Sequence, residues 1–577
     1  MPALQNLVRK CRTRCLITAT VSISSSLPLL AQGPLLPAKT AATAPAQTAA
    51  TDAYLPIDHW AYGALNRLEA LGYLDEAFLG IRPWTRRSIS QMLWDSGTNF
   101  QILDDPEALE LMVALKREFP RVDASDPYIT TPVSRTESVY VTLRGTYGPV
   151  LRDSWNLGQT FANDYARPYQ SGFSSQAGVS GWIDAGRFGI YLRSEYQHAA
   201  SATGYSQDLA SSLADLNHTP LSTAPRQDTI PAGPISATNR MSVIEGYASY
   251  RAANHVFAFG KLDHWLSPAK GGSLAYSNNA ENIYQFSIDR VSPLTIPLLS
   301  RLTGPFRYTF FIGSLQGHTT PNHPFVHVEK VSFKPNRDLE FGFSRTIVWG
   351  GKGHQPVTLH TFLNGFFHLS NVSDAEKFSR DDPGARFSAF DFRLRVPGLR
   401  RWLTFYCDSF VHDGISPIQA PRHAAVRPGL YLAMLPKLPH WDLQVEGVNT
   451  DPQVQRSVRG EYLYQETIQL QAYSNKGFVF GDVAGRESKG GQVWLGYHMS
   501  PSEQVKFSWR YAKTAKDLTI SGTTQHIATV DIVKRVKPNV ELHVQLQNEV
   551  WKAPVYLLGR QNNTSVTGSI RWYPNSR

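Results

Sequence analysis

Residues 187–196, with the sequence RFGIYLRSEY, decide the fold class of this chain. Apolar and mostly polar side chains alternate along it: Phe188, Ile190, Leu192 and Tyr196 on one side, Arg187, Tyr191, Arg193 and Glu195 on the other. A period of two is typical of a strand with one apolar and one polar face. Strands of transmembrane barrels have this pattern because one face meets lipid and the other meets an aqueous lumen.

The same alternation recurs toward the carboxyl end of the chain. In residues 505–511, Val, Phe, Trp and Tyr alternate with Lys, Ser and Arg, and residues 540–547 repeat the pattern. Counting such segments of about nine to eleven residues after Val139 predicts roughly sixteen to eighteen strands. Outside the amino terminus, the chain has no apolar run of about 18 residues that would predict a membrane-spanning helix.

The connections between these segments alternate between short and long. The short ones are Pro- and Asn-containing turns over residues 334–338, 436–439, 499–503 and 537–539. The long ones are rich in Gly, Ser, Asp, His and aromatic residues, roughly over residues 198–240, 350–386, 411–428 and 474–490. Outer-membrane barrels combine short periplasmic turns with long extracellular loops. We therefore predict an all-β transmembrane barrel of antiparallel strands, and no 40- to 50-residue repeat indicates a soluble propeller.

The amino terminus has the composition of an export signal. Four basic residues before position 15 precede an uncharged stretch that ends near a small residue at position 31. We expect residues 1–31 to be a signal peptide and residues 32–51, rich in Ala, Pro, Thr and Gln, to be a disordered linker. Cleavage would leave Cys407 as the single cysteine, interpreted as a small apolar residue that faces lipid or core.

A helical pattern follows over residues 52–125, and the barrel is expected over residues 130–577. The first predicted helix is capped by Asp58, buries Ala61, Leu65 and Leu68, and ends at Gly72. Thr85 is predicted to cap a second helix from Arg86 to Trp94. The third begins at Asp105 and Pro106 and buries Ala108, Met112, Leu115 and Phe119. We expect this α-helical module to be periplasmic.

Several motifs resemble the capsule assembly Wzi family. The most specific are residues 261–265 (KLDHW), 271–274 (GGSL) and 277–280 (SNNA). Further similar segments are residues 333–336 (FKPN), 339–346 (LEFGFSRT), 349–353 (WGGKG), 390–393 (FDFR), 412–414 (HDG) and 429–431 (GLY). The resemblance covers most of residues 54–575. Two departures are WLSPA at 265–269, where the family commonly has Trp-Trp-Gly-Pro-Gly, and WYPNSR at 572–577 in place of a terminal aromatic residue.

The helical module also resembles two known units. Residues 58–61 (DHWA), Leu68, Gly72 and residues 84–86 (WTR) are similar to the amino-terminal segment of Wzi-like proteins and to the S-layer-homology helical unit. The second resemblance implies that Trp60 and Trp84 contact the cell wall. The alternative is that both are core residues of a small helical bundle.

The resemblance to the Wzi family implies a lectin-like barrel in the outer membrane that anchors or assembles capsular polysaccharide or exopolysaccharide at the cell surface. It implies no enzymatic activity, no cofactor and no metal. The expected partners are the polysaccharide, outer-membrane lipid and lipopolysaccharide, and peptidoglycan through the helical module. A formal net charge of +10 over 577 residues, without a compact basic stripe, does not indicate a nucleic-acid partner.

Sugar binding uses aromatic faces, planar polar groups for hydroxyls, and basic groups for uronic acids. The predicted loops contain all three. The candidate polysaccharide-binding residues are Trp265, Asn278, Asn279, Trp349, Lys352, His412, Asp413 and Arg422. The alternative for each is packing within a loop, the aromatic girdle or the lumen.

Two other functions compete with the lectin. An outer-membrane porin or oligosaccharide-uptake channel would have the same polar lumen and would differ only in whether that lumen is occluded. An enzyme would need a nucleophile and a base, for which His264, His412 and Asp413 are the candidates, but none lies in a recognisable catalytic motif. Adjacent strand residues such as His412 and Asp413 point to opposite faces, which disfavours joint metal ligation.

Overall fold

The computed structural model describes most of the chain, namely residues 51–95, 100–121, 132–219, 230–367, 373–399, 402–412, 418, 421–452, 462–514, 519 and 521–574. The predicted signal peptide and nearly all of the predicted linker lie outside the described residues. Among the described helices, none has the length and apolar character needed to cross a membrane.

The described residues contain eighteen strands that form one closed antiparallel barrel. They are β1 (Val133–Tyr147), β2 (Gly172–Ala185), β3 (Phe188–Ala199), β4 (Thr238–Ala252), β5 (His255–Lys261), β6 (Tyr284–Arg290), β7 (Phe306–Ser314), β8 (Phe325–Asn336), β9 (Leu339–Trp349), β10 (Ala385–Arg395), β11 (Thr404–His412), β12 (Ala425–Leu432), β13 (Trp441–Asn449), β14 (Ser488–Ser500), β15 (Glu503–Thr514), β16 (Thr523–Lys537), β17 (Val540–Ala553) and β18 (Leu557–Trp572). Each strand pairs with its neighbours along the chain, and β1 closes the barrel on β18, with Val139 opposite Trp572. Closure pairs the strand edges that hydrocarbon would leave unsatisfied.

The predicted alternation is confirmed in β3. The apolar side chains of Ile190 and Leu192 are 55% and 48% exposed on the outer face of the barrel, whereas Tyr191, Arg193 and Glu195 are buried inside. An apolar outer wall around a polar interior is the arrangement of a membrane barrel. The predicted fold class and strand number are therefore confirmed.

Short turns lie at one end of the barrel and long loops at the other. The predicted turns fall between β8 and β9, β12 and β13, β14 and β15, and β16 and β17. The long loops are 148–171, 200–237, 262–283, 350–384, 413–424 and 450–487. The predicted loop over residues 474–490 is corrected, because it is the last part of 450–487 and β14 already begins at Ser488. Loops 148–171 and 262–283 were not among the predicted loops.

In the described part of the chain, three α-helices precede the barrel: α1 (Ala61–Leu71), α2 (Arg86–Asp95) and α3 (Pro106–Glu118), with a short 3-10 helix at Phe100–Asp104. Gly72 ends α1 in the left-handed region at φ 87°, where the absence of a Cβ removes the steric cost. The Thr85 hydroxyl accepts from the Ser88 amide at 3.0 Å, and the Asp105 carboxylate accepts from the Ala108 amide at 3.2 Å. The predicted cap at Thr85 is present, and α3 starts at the predicted position, with Asp105 as its cap.

The prediction that Asp58 caps α1 is wrong. Trp60 immediately precedes the helix, and no side chain caps it. The Asp58 carboxylate instead accepts from Arg193 of β3 at 2.8 Å and from Arg571 of β18 at 3.2 Å. A carboxylate that accepts from two guanidinium groups makes charge-assisted bonds, which are stronger than a bond to one backbone amide.

The helical module is packed into the short-turn end of the barrel. Its core residues Leu65, Leu68 and Trp84 share one apolar cluster with Tyr406 and Tyr431 of the barrel wall. The buried Glu69 carboxylate of α1 also accepts from Arg393 of β10 at 2.9 Å. Trp84 is therefore a core residue, which was one of the two alternatives left open by the sequence.

Further helices lie in the connections: α4 (Gln207–Leu216), α5 (Ser300–Thr303), α6 (Leu359–Phe367) and α7 (Asp374–Lys377). Of these, α5 lies in the connection between β6 and β7, while the others belong to long loops. Cys407 of β11 is a free, half-buried cysteine. Its neighbours Tyr406 and Asp408 are buried inside, so Cys407 lies on the outer face, as interpreted from the sequence.

Candidate functional site

The loop between β5 and β6, residues 262–283, folds into the barrel instead of extending from it. Every residue of this inserted segment is buried except Lys270, which is half-buried. Such burial is possible only where the backbone amides and carbonyls of an irregular segment find partners inside the lumen.

Carboxylates of the barrel wall supply those partners. Glu446 of β13 accepts from the backbone amides of Lys270 and Gly271 at 2.7 and 3.0 Å. Asp408 of β11 accepts from the Leu274 amide at 2.8 Å. Arg427 of β12 donates to Glu446 at 2.8 Å and so balances its charge. These buried, charge-assisted bonds fix the inserted segment to the wall.

Loop 450–487 forms a second layer on the inserted segment. The Phe480 carbonyl accepts from the Ser277 amide at 2.7 Å, and the Tyr464 hydroxyl donates to the Leu274 carbonyl at 3.1 Å. The ring of Tyr276 stacks on Phe480, with centroids 4.7 Å apart. The described part of this half of the lumen is therefore filled by side chains and backbone of interlocking loops.

Three of the predicted sugar-binding residues lie inside this filled region. Trp265 donates from its indole to the Ala269 carbonyl at 3.0 Å, and the Arg82 guanidinium lies over its ring at 5.5 Å. Asn279 is fully buried and donates to the Val479 carbonyl at 3.1 Å. Asn278 is also buried, but its side-chain oxygen has no hydrogen-bond partner within the described structure. The structure thus brings the three together around the inserted segment and away from the outer surface.

Trp349 lies on the outside of the barrel. Its indole donates to His327 at 3.1 Å, and its ring meets Phe362 of α6 edge-on at 5.8 Å. Helix α6 is held flat against the outer wall, and Arg345 of β9 donates to the carbonyl of Phe366 at 3.2 Å. The opposite face of the helix presents Leu359, 73% exposed, to the side occupied by lipid in a membrane barrel.

The remaining predicted residues lie at the long-loop end. Lys352 and Arg422 are exposed, on the loops that follow β9 and β11. His412 is half-buried at the end of β11, where its ring stacks on Phe387 at 4.8 Å. Asp413 lies outside the described residues. A sugar contact for each of the eight residues stays a prediction.

Of the three residues considered for catalysis, His264 and His412 lie in the described part of the chain, and Asp413 does not. His264 stacks on Phe311 at 4.0 Å and contacts the Gln285 amide at 2.7 Å. Burial lowers the pKa of His264 to about 3, so its imidazole is neutral at physiological pH. Among the described residues, no group of three or more His, Cys, Asp or Glu side chains is arranged to hold a metal ion.

The other half of the lumen contains a cavity of about 570 Å³. It lies between the inner face of β14–β18 and the loop residues around Asn163, Lys270 and Asn278. The sequence reasoning included Asn278 but missed the basic residues of the wall, Lys506 and Arg510. Their signal was available in the alternation of 505–511, which places both on the polar face of one strand.

The comparison with protein families gives one match. The family model described as capsule assembly protein Wzi matches residues 143–566. An uncharacterized 55.8 kDa protein in the cps region of Klebsiella pneumoniae is 27% identical over 176 residues, or 30% of this chain. The match spans about a third of that relative's length, 33%.

The comparison with solved structures supports the fold. The structure of Wzi from Escherichia coli, an outer-membrane protein involved in group 1 capsule assembly and described as a carbohydrate-binding β-barrel, has a TM-score of 0.63 to this chain. The alignment covers 90% of this chain and 99% of that protein at 16% identity. At that identity the likeness concerns the barrel architecture.

Proposed function

The chain belongs to the capsule assembly protein Wzi family, and on that premise we propose that it anchors or assembles capsular polysaccharide or exopolysaccharide at the cell surface as an outer-membrane lectin. The observation that carries this proposal is the filled half of the lumen. An inserted segment held to the wall by Glu446 and Asp408 suits a rigid scaffold that presents its outer surface. A diffusion channel would instead need a continuous aqueous path.

The proposed contact surface, here called the rim surface, consists of exposed side chains on the loops after β9 and β11. Its members combine cationic and aromatic groups: Lys352, Phe378, Arg380, Arg422 and His423. Because β10 and β11 are adjacent strands, these two loops leave the same part of the barrel edge. Exposed cations attract an acidic polymer, and an exposed ring offers a face to a pyranose.

The test is reversal of the rim charges. We expect the triple variant Lys352→Glu, Arg380→Glu, Arg422→Glu to release polysaccharide from cells into the medium at constant total synthesis, and to weaken binding of the purified chain to the same polymer. The matched control reverses three exposed cations at the opposite end: Arg337→Glu, Lys437→Glu and Lys537→Glu. Equal retention of polysaccharide by cells that carry either triple variant would refute the proposal that the rim surface binds the polymer.

The porin alternative has its own readout. The purified chain reconstituted in a planar bilayer should show no large, stable conductance, because loops and the helical module fill much of the lumen. A steady large conductance, together with unchanged polymer retention after deletion of the chain, would replace the lectin with a channel. The remaining partners, lipopolysaccharide and peptidoglycan, are proposals of the same kind, and binding of purified glycan to the chain tests each.

A further inference from the structure

The lumen cavity opens toward the short-turn end of the barrel. Along β16 and β17, inward-facing Thr529 and Gln547 are buried, whereas Asp531 and His543, nearer the short turns, are half-exposed. On the long-loop side, loop 148–171 covers the cavity with buried residues such as Phe161. In an outer-membrane barrel the short-turn end faces the periplasm. The cavity is therefore a pocket accessible from the periplasmic side.

The charges in this pocket are unequally paired. Its carboxylates are all engaged by basic or imidazole groups: Asp58 by Arg193 and Arg571, Asp164 by Arg167, Asp531 by His543 and Glu541 by Arg535. Three cations that line the same pocket, Lys270, Lys506 and Arg510, have no ion pair within the described part of the chain. A concave site with surplus positive charge concentrates anions.

Several buried polar atoms in the pocket wall also lack partners. Nitrogen atoms of Arg144 and Gln176, and side-chain oxygens of Asn163 and Asn278, are buried without a hydrogen-bond partner in the described structure. Buried polar atoms are normally satisfied, so such a set indicates a water or ligand that supplies the missing bonds. Donors and acceptors side by side match sugar hydroxyls, which both donate and accept.

The pocket also has an aromatic surface. Trp494 of β14 is largely buried in the wall, and the Lys270 ammonium lies over its ring at 5.0 Å. An indole face packs against the apolar face of a pyranose, while an adjacent cation reaches a carboxylate on the same sugar ring. A volume of about 570 Å³ lies within the range of about 300–1,000 Å³ of small-molecule sites.

We propose that this periplasm-facing pocket is a binding site for a short saccharide that carries carboxylate groups, held by Lys270, Lys506 and Arg510 and packed against Trp494. The site is separate from the rim surface and lies at the other end of the lumen. The inference rests on the proposed function only in taking a saccharide as ligand. The surplus positive charge favours a ligand that carries carboxylates. The indole ring and the unpartnered amide groups favour a sugar.

The experiment is calorimetric titration of the full chain in detergent with trigalacturonate, with neutral maltotriose and inorganic phosphate as comparison probes. We expect trigalacturonate to bind at least about tenfold more tightly than either, because each charge-assisted bond to a half-buried cation contributes roughly that factor. The double variant Lys506→Gln, Arg510→Gln should weaken trigalacturonate binding by at least about tenfold. The control Lys513→Gln removes one positive charge from the outer face of the same strand, as Lys506→Gln does from the inner face, and should leave binding unchanged.

Folding does not confound the test. Lys506→Gln alone changes a half-buried cation that has no ion pair in the described structure, so this variant should fold and still weaken trigalacturonate binding several-fold. Phosphate binding as tight as trigalacturonate binding would reduce the pocket to a plain anion site and overturn the proposal. Equal trigalacturonate affinity in the double variant and in Lys513→Gln would overturn it as well.

The proposal for the rim surface and the proposal for the pocket can be refuted independently. If cell-surface polymer is retained by the chain but trigalacturonate does not bind the purified chain, the pocket proposal fails while the lectin stands. If trigalacturonate binds in the pocket but reversal of the rim charges releases no polymer, the pocket stands and the rim surface fails.

Discussion

The two halves of the lumen pair their charged residues differently. In the half bounded by β8–β13, here called the filled half, Lys330 pairs with Asp391, and Arg427 pairs with both Glu446 and Asp482. In the half bounded by β14–β18, here called the open half, Lys506 and Arg510 have no such partner within the described residues. Paired charges hold the filled half together, whereas unpaired charges are available to a ligand.

The largest expected effect comes from breaking a pair in the filled half. Burial by itself would raise the pKa of Glu69, but Arg393 and Lys334 lower it, so this carboxylate is ionised in the folded protein. Glu69→Gln leaves the buried Arg393 without that countercharge and should lower the free energy of unfolding by about 3–5 kcal/mol. Denaturant unfolding in detergent, followed by tryptophan fluorescence, measures the change.

An exposed pair on the outer face of the barrel, beside the open half, is the matched control. Lys534 is half-exposed and lies 3.0 Å from Glu503 at the short-turn end. Lys534→Ala should change the free energy of unfolding by less than about 1 kcal/mol, because water screens an exposed pair. A loss in Glu69→Gln no larger than in this control would show that charge pairing does not hold the filled half.

A smaller difference in the free energy of unfolding is expected between alanine variants of two adjacent asparagines, Asn279 and Asn278. Asn279 accepts from the Asn163 amide at 3.2 Å and donates to the Val479 carbonyl at 3.1 Å, so Asn279→Ala should cost about 1–3 kcal/mol by leaving buried groups unpaired. Asn278→Ala removes a side-chain oxygen that has no partner and should cost much less. Thermal unfolding of the two variants side by side measures the difference, and equal costs would contradict the division of the lumen.

The smallest expected effect is a pH dependence of ligand binding in the open half. Burial, followed by the charge of Lys506, lowers the pKa of Lys270 to about 7, while Asp442, Glu446 and Asp531 act in the opposite direction. A bound carboxylate favours the ammonium form, so trigalacturonate affinity should rise as the pH falls from 8 to 6 and level off below that. The gain should be at most about tenfold, since Lys270 contributes one charge.

Lys270→Met identifies the titrating group. In that variant the affinity for trigalacturonate should be lower and nearly independent of pH between 6 and 8. His543 also lines the pocket, at 3.1 Å from Asp531. Persistence of the full pH dependence in Lys270→Met would show that another group titrates, and would remove the support that Lys270 gives to the pocket.

The sequence predicted the features that depend on local periodicity. The alternation in residues 187–196 and 505–511 indicated which side chains face outward, and the positions of Pro and Asn located the short turns. The helix starts at Thr85 and Asp105 were also predictable from the sequence, because a capping hydrogen bond forms between residues three positions apart. Asp58 was misread because its partners, Arg193 and Arg571, are distant in the chain.

The candidate site was harder to predict from the sequence, because the partners of its residues are also distant in the chain. Trp265, Asn278 and Asn279 follow a short strand in a segment that resembles an exposed loop, rich in Gly, Ser and Asn. Their burial depends on Glu446 and Asp408, which approach them only when the barrel closes. Trp349 faces the outer side of the barrel wall but is buried, because the loop that follows supplies the helix that covers it.

The sequence by itself determined that the chain forms a closed barrel with an apolar outer wall, because strand alternation and turn chemistry act between near neighbours. Only the tertiary structure decided which loops enter the lumen and which polar residues there find partners. That outcome depends on contacts between groups more than a hundred residues apart, such as Lys270 with Glu446. Residue types do not specify such contacts until closure of the barrel brings the groups together.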